Sequence, residues 1–201
     1  MLVHGAGSGP YVFDGWPAWF PGVETIAVDL HAGLDVGRAS HADYAARVVV
    51  AARAAPEPVA LCGWSMGGLV VLEAAQVAKP GAVVLLEASP PAEVQGFADT
   101  AVDDGTFDPE QVYGAFPDGM PARPESLRAR GERKRGISAP ELPCPSLVVH
   151  GDDFPGDRGR DLAAFYGSDL RAFPGFDHWD LVLRPEVPAA VAVWLGITPS
   201  A

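Results

Sequence analysis

Between two apolar stretches of the chain lies Gly63-Trp64-Ser65-Met66-Gly67-Gly68. Val59-Ala60-Leu61-Cys62 before it reads as a short buried strand, and Leu69 to Ala78 after it reads as a helix. A serine at a strand-to-helix junction, with glycine two residues to either side, is the pattern of a nucleophile elbow. The turn must be tight enough to strain the backbone at Ser65 and hold its hydroxyl clear of the sheet. Side chains at 63 and 67 would collide with the packed strand and helix, and glycine removes them. The first amides of the helix then face the reacting carbon, with the helix dipole behind them. A bare G-x-S-x-G is common, and an ordinary glycine-rich loop is the competing reading. The predicted strand and helix on its flanks give the motif its weight.

The rest of the chain repeats the same alternation. Leu2-Val3 is a very short strand that runs into His4-Gly5-Ala6-Gly7-Ser8-Gly9-Pro10. The glycine spacing there is not G-x-G-x-x-G and no Lys-Ser/Thr follows, which argues against phosphate. The loop reads instead as backbone amides facing the Ser65 hydroxyl, with His4 bracing the turn rather than acting as a base. Tyr11, Phe13, Trp16, Trp19 and Phe20 read as a short helix, mostly core, with one wall of a pocket. Thr25-Ile26-Ala27-Val28 is the next strand, followed by Asp29 and a glycine-rich loop from His31 to Ala39. Ser40-His41-Ala42-Asp43 is a capping box opening a helix through about Ala54, with His41 an exposed first-turn residue. Ala82 to Leu86 is a continuous apolar run, as in a strand covered on both faces, and Glu87 follows it.

From Ala92 to about Pro140 glycine, proline and acidic residues dominate. This reads as a lid over the sheet with one or two short helices. Its end, Arg128 to Arg135, concentrates five basic residues, Arg128, Arg130, Arg133, Lys134 and Arg135. They read either as a solvated face balancing the acidic lid or as a feature that steers an anionic substrate. Pro145 to His150 is a strand ending at Gly151-Asp152-Asp153-Phe154. A helix over about Arg158–Tyr166, a strand at Asp169–Phe173, a turn displaying His178 and a closing helix from Glu186 to Leu195 complete the chain.

Alternating strands and helices imply a mostly parallel sheet with right-handed crossovers. Every strand then opens its carboxyl end on the same edge. The His4-Gly5-Ala6 loop, Ser65, Asp152/Asp153 and His178 all follow strands, so four remote segments converge on one crevice.

At 201 residues the chain suits one domain with a real core. A net charge of −12 argues against nucleic acid and anionic membrane surfaces as partners. Cys62 and Cys144 have no metal-type spacing and no disulfide framework, which favours a reducing, cytoplasmic location. The start has no basic, apolar leader, so no signal peptide is expected. No apolar run approaches a membrane span.

With these residues in view, the chain resembles an α/β-hydrolase-fold serine hydrolase over nearly its whole length. The matching pieces are His4-Gly5, Gly63-Trp64-Ser65-Met66-Gly67-Gly68, His150-Gly151-Asp152-Asp153 and Gly175-Phe176-Asp177-His178-Trp179. The form is similar to small carboxylesterases and acyl-thioester hydrolases with an inserted lid. The resemblance implies a single domain, core 1–91 and 141–201 with a lid at 92–140. It implies Ser65 as nucleophile, His178 as base, the Ala6 and Met66 amides as oxyanion hole, and neither cofactor nor metal. The substrate would be a small-molecule ester or thioester. The family's acid commonly falls three residues past the glycine matching Gly151, and Phe154 stands there. Asp153 is the first choice, Asp152 the second and Glu87, past the neighbouring strand, the third. Asp177 adjoins His178 and would point elsewhere. The family's first two strands are missing. A sheet of about six strands is therefore expected, with Thr25–Val28 an exposed edge open to a homodimer. Two other classes use this fold: a lyase, isomerase or cyclase working from the same site, and a silent binding protein.

Overall fold

A computed structural model describes residues 1–152 and 158–198. Its strands are β1 (Leu2–Val3), β2 (Ala27–Val28), β3 (Ala60–Trp64), β4 (Ala82–Leu86), β5 (Thr106–Phe107), β6 (Glu125–Ser126), β7 (Ser146–His150) and β8 (Asp169–Ala172). Its helices are α1 (His41–Ala54), α2 (Met66–Ala78), α3 (Ala92–Gln95), α4 (Pro109–Tyr113), α5 (Leu127–Arg135), α6 (Arg158–Tyr166), α7 (Asp180–Leu183) and α8 (Glu186–Trp194). Six strands form one parallel sheet in the order β2-β1-β3-β4-β7-β8. The fold is that of an α/β hydrolase, with the expected number of strands and β2 at one edge. That edge strand is only two residues long, which itself offers little template for pairing.

Successive side chains on a strand point to opposite faces. Leu61, Val83, Leu85 and Val148 therefore join α1, α2 and α6 in one apolar cluster. Cys62, Trp64, Val84, Leu86, Leu147 and Val149 enter the other, with α7 and α8. Both faces are covered, which is why these strands read as unbroken apolar runs. The aromatic cluster near the start forms two 3-10 turns, Pro10–Phe13 and Pro17–Trp19. Phe13, Trp16 and Phe20 are buried in the second cluster, and Trp16 Nε1 donates to the Val182 carbonyl at 2.8 Å. These rings fill core.

Helix α1 is capped as its sequence predicts, with Ser40 and Asp43 exchanging both hydrogen bonds of the box. His41 departs from expectation. It is buried, its Nδ1 lies 2.7 Å from Glu73 Oε2, and its amide donates to Glu132 Oε2 at 2.7 Å. First-turn position predicts exposure only where nothing packs above the cap, and here α2 and the lid helix α5 both do.

The lid enters between β4 and β7. It holds α3, α4, α5 and an antiparallel pair, β5 with β6, where one or two helices were expected. Among the described residues no helix is long and apolar enough to cross a membrane.

The elbow glycines are demanded by close approach. A Cβ at Gly67 would lie 2.4 Å from the carbonyl oxygens of Val3 and His4, and one at Gly63 2.3 Å from the Gly67 carbonyl. Those neighbours are backbone of β1, of the loop that follows it and of α2, and cannot step aside. Gly67→Ala is expected to destabilise the fold by about 3 kcal/mol. The check is a urea titration, read as a lower midpoint at an unchanged slope.

Candidate active site

Strand β3 ends at Trp64, and Ser65 follows with φ 57° and ψ −124°. A serine with this positive φ is strained, and the strain persists because both sides hold it. The Ser65 amide donates to Leu86 O at 2.9 Å, and its carbonyl accepts from Gly68 N at 3.0 Å and Ser89 N at 2.9 Å. Ser65 is also the N-cap of α2 and makes no side-chain capping bond. The hydroxyl is thus not committed to the helix, and the first amides of α2 have no side-chain acceptor. The Met66 amide is the first of these.

The β1 loop lies against the serine. A Cβ on Gly5 would come within 3.0 Å of both Ser65 Cβ and the Trp64 ring, so the bare backbone of Gly5 packs there. Ala6 is the next residue. His4 is fully buried and engaged at both ring nitrogens. Leu30 N–H donates to Nε2 at 3.1 Å, which puts the ring hydrogen on Nδ1, 2.9 Å from the Gly5 carbonyl. The bracing role expected of His4 is the one observed, and no nitrogen remains for a general base.

His178 reaches the serine's side of the sheet from the turn after β8. Its ring lies on the Trp64 ring, centroids 4.9 Å apart, and Trp64 Nε1 donates to its carbonyl at 3.0 Å. Its Nδ1 is 2.6 Å from Glu87 Oε2. A carboxylate only accepts, so Nδ1 carries the hydrogen and Nε2 is the basic nitrogen. Glu87 is the residue after β4, and the β3–β4 register pairs Trp64 with Leu86. Ser65 and Glu87 therefore stand side by side at the carboxyl edge. Glu87 is buried, has φ 40°, and its second oxygen accepts from Gly151 N at 2.8 Å. Strained backbone and a second hydrogen bond together fix the carboxylate.

The carboxylate that meets His178 is the one ranked third as the acid from the sequence. Asp153, the first choice, lies outside the described residues. Asp152, the second, accepts from the Gly175 amide at 2.5 Å. Glu87 holds the histidine. Two signals pointed to it: Phe154 fills the family's usual acid position, and a lone carboxylate follows a wholly apolar strand at the carboxyl edge. The deciding fact, register with β3, is not written in either.

The segment inserted between β4 and β7 packs against this group at two points. Gly7 packs under Pro109 of α4, where a Cβ would come within 2.3 Å of the proline ring. Phe116 packs edge-on against Trp179, centroids 4.7 Å apart, and Trp179 lies on Trp64 at 4.8 Å. Trp64, Trp179 and Phe116 stack beside the serine, while Tyr11, Trp16 and Trp19 line a separate pocket of about 210 Å³ with Val182 and Pro188, the wall expected of that cluster. A cleft of about 660 Å³ lies at the opposite, amino edge of the sheet, lined by Leu2, Ile26, Pro58 and Cys62 among others. Burial pushes the Cys62 thiol up to about 12, so it is no nucleophile at neutral pH.

Glu125 was missed altogether. This fully buried lid residue accepts from the Gly7 amide at 2.9 Å, Tyr44 OH at 2.6 Å and its neighbour's amide, Ser126 N, at 2.8 Å. His31 Nε2 is 3.2 Å from the same oxygen as Gly7. Arg123 closes the strap: its amide donates to the Gly7 carbonyl at 2.8 Å and its guanidinium grips both oxygens of Asp29 at 2.9 and 3.3 Å. Burial alone would raise the Glu125 pKa, but the hydrogen bonds from His31, Tyr44 and Gly7 prevail and hold it at about 2. Its folded value lies below its unfolded one. The stabilisation is therefore complete above about pH 4.5 and is lost as pH falls toward about 2. It is on the order of 3 kcal/mol. Acid titration of the far-ultraviolet signal should show this loss. Glu125→Gln should be less stable at pH 7 and lose less between pH 4.5 and 2 than the parent.

The family model described as the Alpha/beta hydrolase family matches residues 1–196, and the chain belongs to that family. Among solved structures it is similar to polyneuridine aldehyde esterase, at 16% identity, with 97% of each chain covered and a TM-score of 0.66. It is similar to a methylesterase protein, MES16, from Arabidopsis, at 21% identity, covering 97% of this chain and 98% of that one, TM-score 0.67. It also resembles tomato methylketone synthase I, solved with beta-ketoheptanoate, at 15% identity, 97% and 95% coverage, TM-score 0.70. No curated protein matches the chain.

Proposed function

We propose that the protein is a serine hydrolase of carboxylic esters or thioesters, working through an acyl-enzyme. The observation that carries this reading is the 2.6 Å bond from His178 Nδ1 to Glu87, beside a strained, uncapped serine. That bond fixes the tautomer in which His178 Nε2 accepts a proton. Ser65 Oγ attacks the carbonyl carbon as its proton passes to Nε2. Glu87 stabilises the imidazolium that results. The amides of Met66 and Ala6 receive the oxyanion, donors of a kind that contribute roughly 3 kcal/mol each. The imidazolium then protonates the departing alcohol or thiol. Water, activated by the same nitrogen, releases the acid.

The esterases among the similar structures favour this chemistry, while the methylketone synthase is a reminder that the fold serves other reactions. Product analysis separates the two. The protein should convert 4-nitrophenyl acyl esters or acyl thioesters into free acid and alcohol or thiol, with 18O from labelled water in the acid. Products formed without that label would overturn the reading.

A further inference from the structure

The basic run from Arg128 to Arg135 forms α5, and its members divide by face. Arg128 Nε pairs with Asp104 at 2.9 Å, and Arg135 caps the Thr100 carbonyl from two nitrogens at 3.1 and 2.9 Å. Arg130 and Arg133, three residues apart and so on one face, have no carboxylate partner among the described residues. The Nε of each is buried without a hydrogen-bond partner. Arg130 is compensated by the Phe107 ring, 5.3 Å away. Arg133 is not. Among the described residues its guanidinium makes two hydrogen bonds, both to neutral groups, Nη1 to Ser89 Oγ at 3.4 Å and Nη2 to Tyr113 OH at 3.2 Å.

The position is the informative part. Ser89 donates its amide to the Ser65 carbonyl, so Arg133 stands one residue from the elbow, on the core-facing side of the lid. A guanidinium cannot shed its charge to suit its surroundings. A half-buried one with an orphaned nitrogen is poorly satisfied until an anion meets it. Its planar fork matches a carboxylate in two parallel hydrogen bonds. The crowding of cations is felt nearby: Arg130, then burial, then Arg133 hold the Lys134 ammonium below its ordinary value.

We infer that the substrate carries a carboxylate, and that Arg133 receives it beside Ser65. The inference rests on the hydrolase reading for its chemistry but not for its binding. Two matched ester pairs test it, with the anion in either half of the molecule: 4-acetoxybenzoate against phenyl acetate, and monomethyl adipate against methyl hexanoate. In at least one pair the ratio of kcat/KM, anionic over neutral, should fall 10- to 100-fold in Arg133→Gln, the range of a charge-assisted hydrogen bond. Arg133→Lys, which keeps the charge without the fork, should recover part of it, and it carries the test if the glutamine variant does not fold. Calorimetric titration of Ser65→Ala with benzoate and adipate should show binding that weakens at least tenfold when Arg133→Gln is added. Neutral esters hydrolysed, with both ratios the same in parent and variant, would overturn the inference and leave the hydrolase intact. Carboxylates bound through Arg133 with no ester turned over would do the reverse.

Discussion

Ser65→Ala is expected to lower kcat for a hydrolysed ester by a factor of roughly a million, with little change in fold. The size follows from the division of labour at the elbow. Without the hydroxyl there is no acyl-enzyme, and the proton acceptor at His178 has nothing to activate except water. What survives is the contribution of the oxyanion amides and of binding, which in such sites leaves a residual rate well above the uncatalysed one. The fold should tolerate the change because the Ser65 side chain makes no capping bond to α2, and the backbone contacts to Leu86 and Ser89 do not involve it. The positive φ of 57° is no better suited to alanine than to serine, so the strain is unchanged. Steady-state kinetics with a circular-dichroism melt is the check. A variant that keeps a tenth of the activity would exclude Ser65 as nucleophile.

Glu87→Gln should cost roughly ten-thousand-fold in kcat. The argument is in the hydrogen bonds. Gly151 N–H needs an acceptor at 2.8 Å, so the glutamine oxygen turns to it and the amide NH2 faces His178. An NH2 group there can only donate, so Nδ1 must give up its hydrogen and Nε2 must carry it. The nitrogen that should take the serine proton is then already protonated. Asp152→Asn is the contrast. Asparagine still offers an oxygen to the Gly175 amide, and the change should be under tenfold. Proton NMR adds a readout independent of turnover, a far-downfield Nδ1–H resonance present in the parent and absent in Glu87→Gln. A collapse in Asp153→Asn with Glu87→Gln still active would return the acid to the loop after β7.

How legible this was depended on how far each decision reached along the chain. The sheet, the elbow and the strands β3, β4 and β7 were readable because burial on both faces leaves continuous apolar runs, and Ser40–Asp43 because a capping box is local. Glu87 was visible as a candidate but not as the carboxylate that meets His178, since the β3–β4 register decides that contact. Glu125 was invisible. Its partners are Gly7, His31 and Tyr44, remote in sequence, and a carboxylate in a polar, proline-rich stretch has every mark of solvent exposure. His41 failed for the same reason, its burial being imposed by α2 and α5. Buried polar networks are made by tertiary proximity, and periodicity carries no trace of them. Arg133 was half-legible: the run of cations could be counted, but which of them face solvent is set by the helix's docking on Ser89 and Tyr113.

The most direct test is to treat the folded protein with a fluorophosphonate and locate the adduct by peptide mass mapping. A single phosphonyl group on Ser65, its formation slowed sharply in His178→Ala, is the result expected of a hydroxyl activated by that imidazole. An unmodified protein, or a label resting on any other side chain, would contradict the assignment of Ser65 and His178 as one catalytic unit.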